Sequence, residues 1–285
     1  MHKIGSLFRV SRPISWVNTA FPFAAGYIVS GGSFDALCII GTLYFLIPYN
    51  LFMYGVNDVF DYESDIRNPR KGSIEGAKEA KSLHPTIISS ILVTNLPFVV
   101  YFIATGSLLS SIILVAVLFF VGAYSFAGLR FKEIPFLDSI TSSLHFVGPL
   151  VFALSVTNSL SVPESWPFIV AFFLWGMASH AFGAVQDIIP DRDGGLRSIA
   201  TYIGARSTVR LSVILYAISS VIVSLQGVVY IPIALCGLLY VANIVMFWSV
   251  SDEGSLSTNR AWRRFIWLNL ITGFVVTITL IFRIV

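Results

Sequence analysis

The acids able to do chemistry are gathered into two short clusters. The first reads Asn57-Asp58-Val59-Phe60-Asp61-Tyr62-Glu63-Ser64-Asp65, and the second reads Gln186-Asp187-Ile188-Ile189-Pro190-Asp191-Arg192-Asp193. At about 100° per residue on a helix, Asn57, Asp58, Asp61 and Asp65 project within an arc of about a quarter turn. Carboxylates stacked that closely repel one another and raise each other's pKa unless something positive neutralises them. Oxygen donors with no His or Cys among them favour a hard cation, and a site that keeps water or phosphate ligands favours Mg²⁺ over Ca²⁺. In the second cluster Asp187 and Asp191 share a face at i, i+4, whereas Asp193 is turned about 160° away and is expected to stand outside the site.

Basic residues accompany both clusters. Arg67, Arg70 and Lys71 follow the first, Arg130 and Lys132 lie midway along the chain, and Arg192, Arg197 and Arg206 follow the second. Acids that hold a metal beside bases that hold an anion describe a metal–diphosphate site. Any one of these residues could equally be a solvated helix end or a basic membrane anchor. Five phased aspartates at the edge of a membrane are harder to explain that way, because carboxylates there are costly unless partnered.

The elements that must position these groups are membrane helices. The 285-residue chain is 56% hydrophobic and 12% charged, with a mean hydropathy of +0.82, far from the balance of soluble domains. About 20 mainly apolar residues cross the hydrocarbon core. Nine such stretches are predicted, at 14–33, 36–57, 85–105, 108–127, 134–156, 166–186, 208–226, 229–250 and 262–283. With a cytoplasmic N-terminus, every Lys and Arg of the 18 except Arg283 falls on the cytoplasmic side, a strong positive-inside signal. The C-terminus is then extracytoplasmic, and the basic residues give no reason to invoke nucleic acid. The two clusters close the second and sixth spans, which run in the same direction. Both therefore belong to one membrane face. The expected architecture is an all-α, polytopic bundle of nine transmembrane helices around a central cavity. Residues 1–285 form a single domain in this reading, with cytoplasmic loops capping the site.

Other polar residues within spans carry less. His145 and His180 sit where ionisable side chains are rare, and His180 lies seven residues before Asp187, two turns along the same face. Either could take a proton, although a neutral hydrogen-bonded imidazole is the commoner arrangement. Asn50 reads as an interhelical hydrogen bonder. Cys38 and Cys236 have no His or Cys neighbours in sequence and imply neither zinc nor redox chemistry.

The paired motifs Asn57-Asp58-x-x-Asp61-x-x-x-Asp65 and Asp187-x-x-x-Asp191, together with the nine spans, resemble the UbiA-type intramembrane prenyltransferases. Within that superfamily the chain is similar to the lycopene elongases of C50 carotenoid biosynthesis, in Ser11-Arg-Pro-Ile-Ser-Trp-Val-Asn-Thr19, in 57–71 and in Ser198-Ile-Ala-Thr-Tyr-Ile-Gly-Ala-Arg206. The resemblance implies Mg²⁺ held by Asn57, Asp58, Asp61, Asp65, Asp187 and Asp191. Asp61, Asp187 and Tyr124 would act at the catalytic centre. Arg12, Arg67, Arg70, Lys71, Arg130, Lys132 and Arg192 would bind the diphosphate of dimethylallyl diphosphate. The acceptor implied is lycopene or a related carotenoid, taken from the lipid of the cell membrane, and the final cation is quenched by proton loss or by water. Two other readings stand beside this one. The first is a prenyltransferase for an aromatic or quinone-precursor acceptor. The second is a transporter or channel, which predicts acids spread through the membrane depth, whereas Asp35 and Glu164 are the only acids of the extracytoplasmic connections.

Overall fold

The structure is a computed structural model that describes residues 2–63 and 80–284. Asp65, Arg67, Arg70 and Lys71 lie outside the described residues. Every regular element among those described is helical. Eight helices are long and apolar enough to cross a membrane, and a shorter apolar helix covers Val17–Val29. The chain is a multi-pass membrane protein. Its contacts divide it into two compact units, 1–131 with 145–161, and 132–144 with 162–285.

The first unit begins with α1 (His2–Val10) and α2 (Val17–Val29). The span predicted at 14–33 is thus a 13-residue helix entered through a 3₁₀ turn at Pro13–Ser15. The next span is in two pieces, α3 (Ala36–Leu46) and α4 (Pro48–Phe60). Pro48 has no N–H to donate and starts the second piece, as proline does at a helix's first position. The carbonyls left over at the break are met from the side. Asn50 Nδ2 donates to Phe45 O at 2.8 Å, to Leu46 O at 3.1 Å and to Thr19 Oγ1 at 2.7 Å. Asn95 Nδ2 donates to Pro48 O at 2.9 Å. In lipid a broken helix persists only if its freed polar groups are satisfied this way. Asp35 caps α3 by accepting from Cys38 N at 2.9 Å, which accounts for that acid without a functional role.

Helices α5 (His84–Thr105) and α6 (Leu108–Ser125) and the later part of α7 (Leu137–Val156) complete this unit. Its core is aromatic. Phe23, Tyr44, Phe45, Tyr49, Phe102 and Phe152 are buried; Phe23 and Phe152 stack, and the other pairs are edge-on or tilted, with Tyr44–Phe45 centroids 4.9 Å apart and Phe102–Phe152 5.3 Å apart. Such pairs gain beyond the area they bury, and they fix α3 and α4 against α2 and α5.

The second unit takes the first turns of α7 and adds α8 (Trp166–Val185), the short α9 (Ile188–Asp193), α10 (Ile199–Ser224), α11 (Ile231–Val245) and α12 (Asn259–Ile284). Small residues let the helices approach closely, as is usual in membrane bundles. A Cβ at Gly176 would run into Ser143 Oγ, and one at Gly237 into Ser220 Oγ. Phe182, Tyr216, Tyr240 and Phe247 form its buried core. Outward faces are apolar: Leu92, Val93, Trp267 and Phe274 are all exposed, which is what a lipid solvent asks of a helix surface.

Candidate active site

The first acidic cluster sits at the C-terminal end of α4. Asn57 Nδ2 donates to Asp61 Oδ2 at 2.7 Å and to Ser125 Oγ, at the end of α6, at 3.0 Å. The i, i+4 bond places Asn57 and Asp61 on one face, as the phasing predicts. Both amide hydrogens are engaged, so Oδ1 is the end of Asn57 that can meet a cation. Asp58 and Asp61 are buried, and each carboxylate faces an arginine. Arg12 Nη2 donates to Asp58 Oδ1 at 2.7 Å, and Arg130 Nη2 stands 3.5 Å from Asp61 Oδ1. The Arg12 guanidinium also lies 4.2 Å from the centre of the Tyr54 ring, a cation–π contact.

Both arginines are held on strained backbone, with φ of 49° at Arg12 and 43° at Arg130. Non-glycine residues in that region cost of order 1 kcal/mol or more and gather at functional sites. Here the strain turns two bends of the chain so that their guanidinium groups reach α4. Arg12 Nε is buried and has no hydrogen-bond partner among the described residues, a dry N–H suited to a phosphate oxygen. Tyr124, near the end of α6, sets its ring edge-on against His145 at 5.0 Å. His145 is buried, with Nε2 3.3 Å from Phe120 O, and its own carbonyl accepts from Tyr49 OH at 2.9 Å.

The second cluster belongs to the second unit. Asp187 follows α8 and precedes α9, and Asp191 N donates to Asp187 O at 2.8 Å, which keeps the two acids one turn apart. Asp193 ends α9 and is exposed. Gln186, buried beside Asp187, donates from Nε2 to Gly183 O at 3.0 Å and accepts from Asn259 Nδ2 at 2.6 Å. That tie fixes the end of α8 to the start of α12. Trp262 packs so close to Gly183 that a Cβ there would sit 2.9 Å from its ring.

Arg192 is placed differently from the expectation of a diphosphate ligand. Its Nη1 is 2.7 Å from Asp252 Oδ2 and its Nη2 donates to Thr201 O at 3.1 Å. Asp252 Oδ1 in turn accepts from Ala205 N at 2.7 Å. Gly204, immediately before, has φ 79° and ψ 163° and interrupts α10, so Asp252 caps the helix that restarts there. Burial alone would raise the Asp252 carboxyl, but the Ala205 N–H and the Arg192 guanidinium outweigh it and hold the group below its ordinary range. Lys132 lies in the 3₁₀ turn Phe131–Glu133.

Two acids outside both motifs thus matter and are not evident from spacing. One is Asp252. The other is Asp138, fully buried in the first turn of α7. Its Oδ1 accepts from Ser139 N and its Oδ2 from Ile199 N, both at 2.7 Å, and His180 Nε2 stands 3.8 Å from Oδ2. An acid inside a predicted span is the signal that could have found it.

Among the described residues no three His, Cys, Asp or Glu side chains stand together as a ready cation cage. The first motif contributes only Asp58 and Asp61 to them. The donor chemistry nevertheless fits a hard cation: oxygen atoms of Asn57, Asp58 and Asp61, with guanidinium groups close by for an anion.

An intramembrane prenyltransferase is the class that this helical bundle and its aspartates define. The UbiA prenyltransferase family model matches residues 19–271, and the chain belongs to that family. It is 47% identical to the lycopene elongase/hydratase of Corynebacterium glutamicum over 282 residues, 99% of this chain and 98% of that one. It is also 47% identical over 274 residues to the C(50) beta-cyclic carotenoids biosynthesis protein LbtBC of Dietzia sp., covering 95% of this chain and 63% of that protein. Among solved structures it is similar to a UbiA homolog from Archaeoglobus fulgidus bound to GPP and Mg²⁺, with a TM-score of 0.69 at 18% identity, covering 94% of this chain and 99% of that one. The same homolog bound to DMAPP and Mg²⁺ gives 0.68 at 17%, with 94% and 99% covered. The protein is therefore an enzyme, a prenyltransferase similar to lycopene elongases.

Proposed function

We propose that the enzyme transfers a dimethylallyl group from dimethylallyl diphosphate to the ends of lycopene, with Mg²⁺ as cofactor, in C50 carotenoid biosynthesis. The observation that carries this is the cluster on α4, in which Asn57, Asp58 and Asp61 present oxygen donors beside Arg12 and Arg130. The near full-length likeness to a lycopene elongase/hydratase supports the acceptor, and the Mg²⁺ and DMAPP bound by the structural relative support donor and metal.

In this reading the chain works as a single domain over 1–285. Asn57, Asp58, Asp61, Asp65, Asp187 and Asp191 would hold Mg²⁺, which when bound would supply positive charge to the diphosphate leaving group. Arg12, Arg67, Arg70, Lys71, Arg130 and Lys132 bind the same anion. In a low-dielectric site such fixed charges act more strongly than in water. Tyr124 lies near the diphosphate. Departure of the diphosphate leaves an allylic cation, which the terminal double bond of the acceptor attacks. The new tertiary cation is quenched by proton loss or by water. Arg192 is better placed to brace α10 through Asp252 than to bind substrate. The active-site loops and N-terminus are cytoplasmic and the C-terminus extracytoplasmic, as the basic residues require.

The test is reconstitution in vesicles with lycopene, dimethylallyl diphosphate and Mg²⁺. Carotenoids longer by one or two C5 units, with diphosphate released, are expected. Active protein that prenylates an aromatic acid and leaves lycopene untouched would replace the acceptor assignment.

A further inference from the structure

We infer that the outward face at the start of α12 is a binding site for an anionic phospholipid of the bilayer, and that the lipid held there steadies the end of α8 that leads into the second acidic cluster. Arg260, Arg263 and Arg264 follow one another at i, i+3 and i+4, within about 100° of arc, and all three are exposed. Arginines in the first turns of a helix oppose its macrodipole, so α12 gains nothing from them by itself. Arg12, Arg130 and Arg192 each meet a carboxylate, whereas these three make no ion pair among the described residues. Arg264 instead donates from Nε to Arg260 O at 3.3 Å and turns Nη2 to Met246 Sδ at 3.4 Å. Arg210 of α10 leans on the same turn after α11: its Nε donates to Trp248 O at 3.3 Å and its guanidinium lies 5.0 Å from the centre of the Trp248 ring. Met246 and Trp248 are both exposed. Asp252, the acid of this turn, is already taken by Arg192 and Ala205 N.

What fits this face is set by the order of groups along it. Beyond the arginines the same arc of α12 continues as Trp267, Ile271, Phe274 and Ile278, all exposed. Cations, then an indole one turn on, then an unbroken apolar strip match the headgroup, the interfacial region and the acyl chain of a phospholipid. Arg263 and Arg264 also fall within the apolar stretch predicted at 262–283, where a guanidinium without a counterion is costly. A phosphodiester supplies that counterion with oxygens spaced for the guanidinium fork. A free phosphate would use the arginines and leave the apolar strip without a role.

The other side of the same turns faces α8. Asn259 Nδ2 donates to Gln186 Oε1 at 2.6 Å, and Trp262 packs against Gly183. Gln186 immediately precedes Asp187. Like charges at i, i+3 and i+4 loosen a helical turn, and here the turn they loosen is the one that presents Asn259 and Trp262. An anionic headgroup cancels that repulsion, so it binds the ordered turn better than the frayed one and shifts the population towards order. The binding site is independent of the proposed reaction; its effect on turnover rests on that reading.

Wild type, Arg260→Gln/Arg263→Gln/Arg264→Gln, Arg260→Lys/Arg263→Lys/Arg264→Lys and Asn259→Ala enzymes are purified in detergent and titrated with dioleoylphosphatidylglycerol or dioleoylphosphatidylcholine, and bound lipid is counted by native mass spectrometry. The wild type should prefer phosphatidylglycerol, and the glutamine variant should lose affinity for it about fivefold per arginine, about 100-fold in all. The lysine variant keeps the charge and should lose much less. Equal binding of the two lipids, or undiminished binding by the glutamine variant, overturns the site, and displacement of phosphatidylglycerol by inorganic phosphate overturns its assignment to a lipid. Phosphatidylglycerol should also slow hydrogen exchange across 183–191 and 259–264 in the wild type, but only across 259–264 in Asn259→Ala; exchange at 183–191 that ignores the lipid in the wild type overturns the link to α8. In phosphatidylcholine vesicles given lycopene, dimethylallyl diphosphate and Mg²⁺, added phosphatidylglycerol should raise turnover of the wild type and leave that of Asn259→Ala unchanged, and a wild type that elongates lycopene equally with and without phosphatidylglycerol overturns the effect on turnover. Absence of any elongated carotenoid overturns the functional reading above, while binding and exchange still decide the lipid site.

Discussion

Arg12→Met isolates what holds the first acidic cluster. The Arg12 and Asp58 side chains are only 15% and 4% exposed and meet at 2.7 Å. Removing one partner of a buried ion pair costs about 3–5 kcal/mol, mostly because a charge stays buried without its counterion. Loss of the Tyr54 contact adds about 0.5–2 kcal/mol. Methionine inherits the same left-handed backbone at φ 49°, so no strain is relieved. The expected total is about 3.5–7 kcal/mol, read as earlier unfolding on heating or on titrating SDS into micelles. Arg12→Met/Asp58→Asn removes both charges of the pair, so its stability should return to within about 2 kcal/mol of wild type, the part that belongs to Tyr54. Activity should not return with it, because Asp58 is a proposed metal ligand. A single variant as stable as wild type would refute the energetic argument. A double variant with restored turnover would remove Asp58 from the metal set.

Three further outcomes are expected. Gly204→Ala forces a side chain into a region reserved for glycine, φ 79° and ψ 163°, with its Cβ 3.3 Å from Asp252 Oδ1; a loss of about 1–3 kcal/mol on unfolding is expected, and a neutral result would contradict the kink. Asp252 is held below its ordinary value of 3.8 in the folded protein, so its contribution is complete above about pH 4 and is lost as pH falls through the lower folded value. The stability difference between wild type and Asp252→Asn should therefore be present at pH 7 and shrink in acid, and a difference that grows in acid would reverse the sign. For topology, alkaline phosphatase fused to the C-terminus should be active and a fluorescent protein fused there dark.

Much of this arrangement is written in local pattern. The i, i+4 phasing of Asn57 and Asp61 appears as a direct hydrogen bond, and the unlike phase of Asp193 as an exposed side chain. Other features escape because they depend on partners distant in sequence. Arg192 stands one residue from Asp191 and looks like part of the anion site, yet Asp252, sixty residues on, captures it. Asp138 looks like a helix-start residue until Ile199 N and His180 converge on it. The span predicted at 36–57 is evenly apolar, and hydropathy does not register that Pro48 divides it. Its signature is the pair Asn50 and Asn95, whose amides complete a break rather than joining two intact helices. Of the nine predicted spans, the first shortens to Val17–Val29, which follows a 3₁₀ turn begun at Pro13, and the one predicted at 229–250 shortens to Ile231–Val245.

The division at Pro48 also bears on how such an enzyme can change. With a break at Pro48, the segment before it and the segment that carries the acids are two helices, α3 and α4, joined at one point. A substitution at Thr19, Asn50 or Asn95 removes a hydrogen bond made around that break and should shift α4, and with it Asn57, Asp58 and Asp61, relative to α3. The chemistry at the membrane edge can thus be retuned from a point buried some 13–16 Å below it, about the axial length of nine to eleven helical residues.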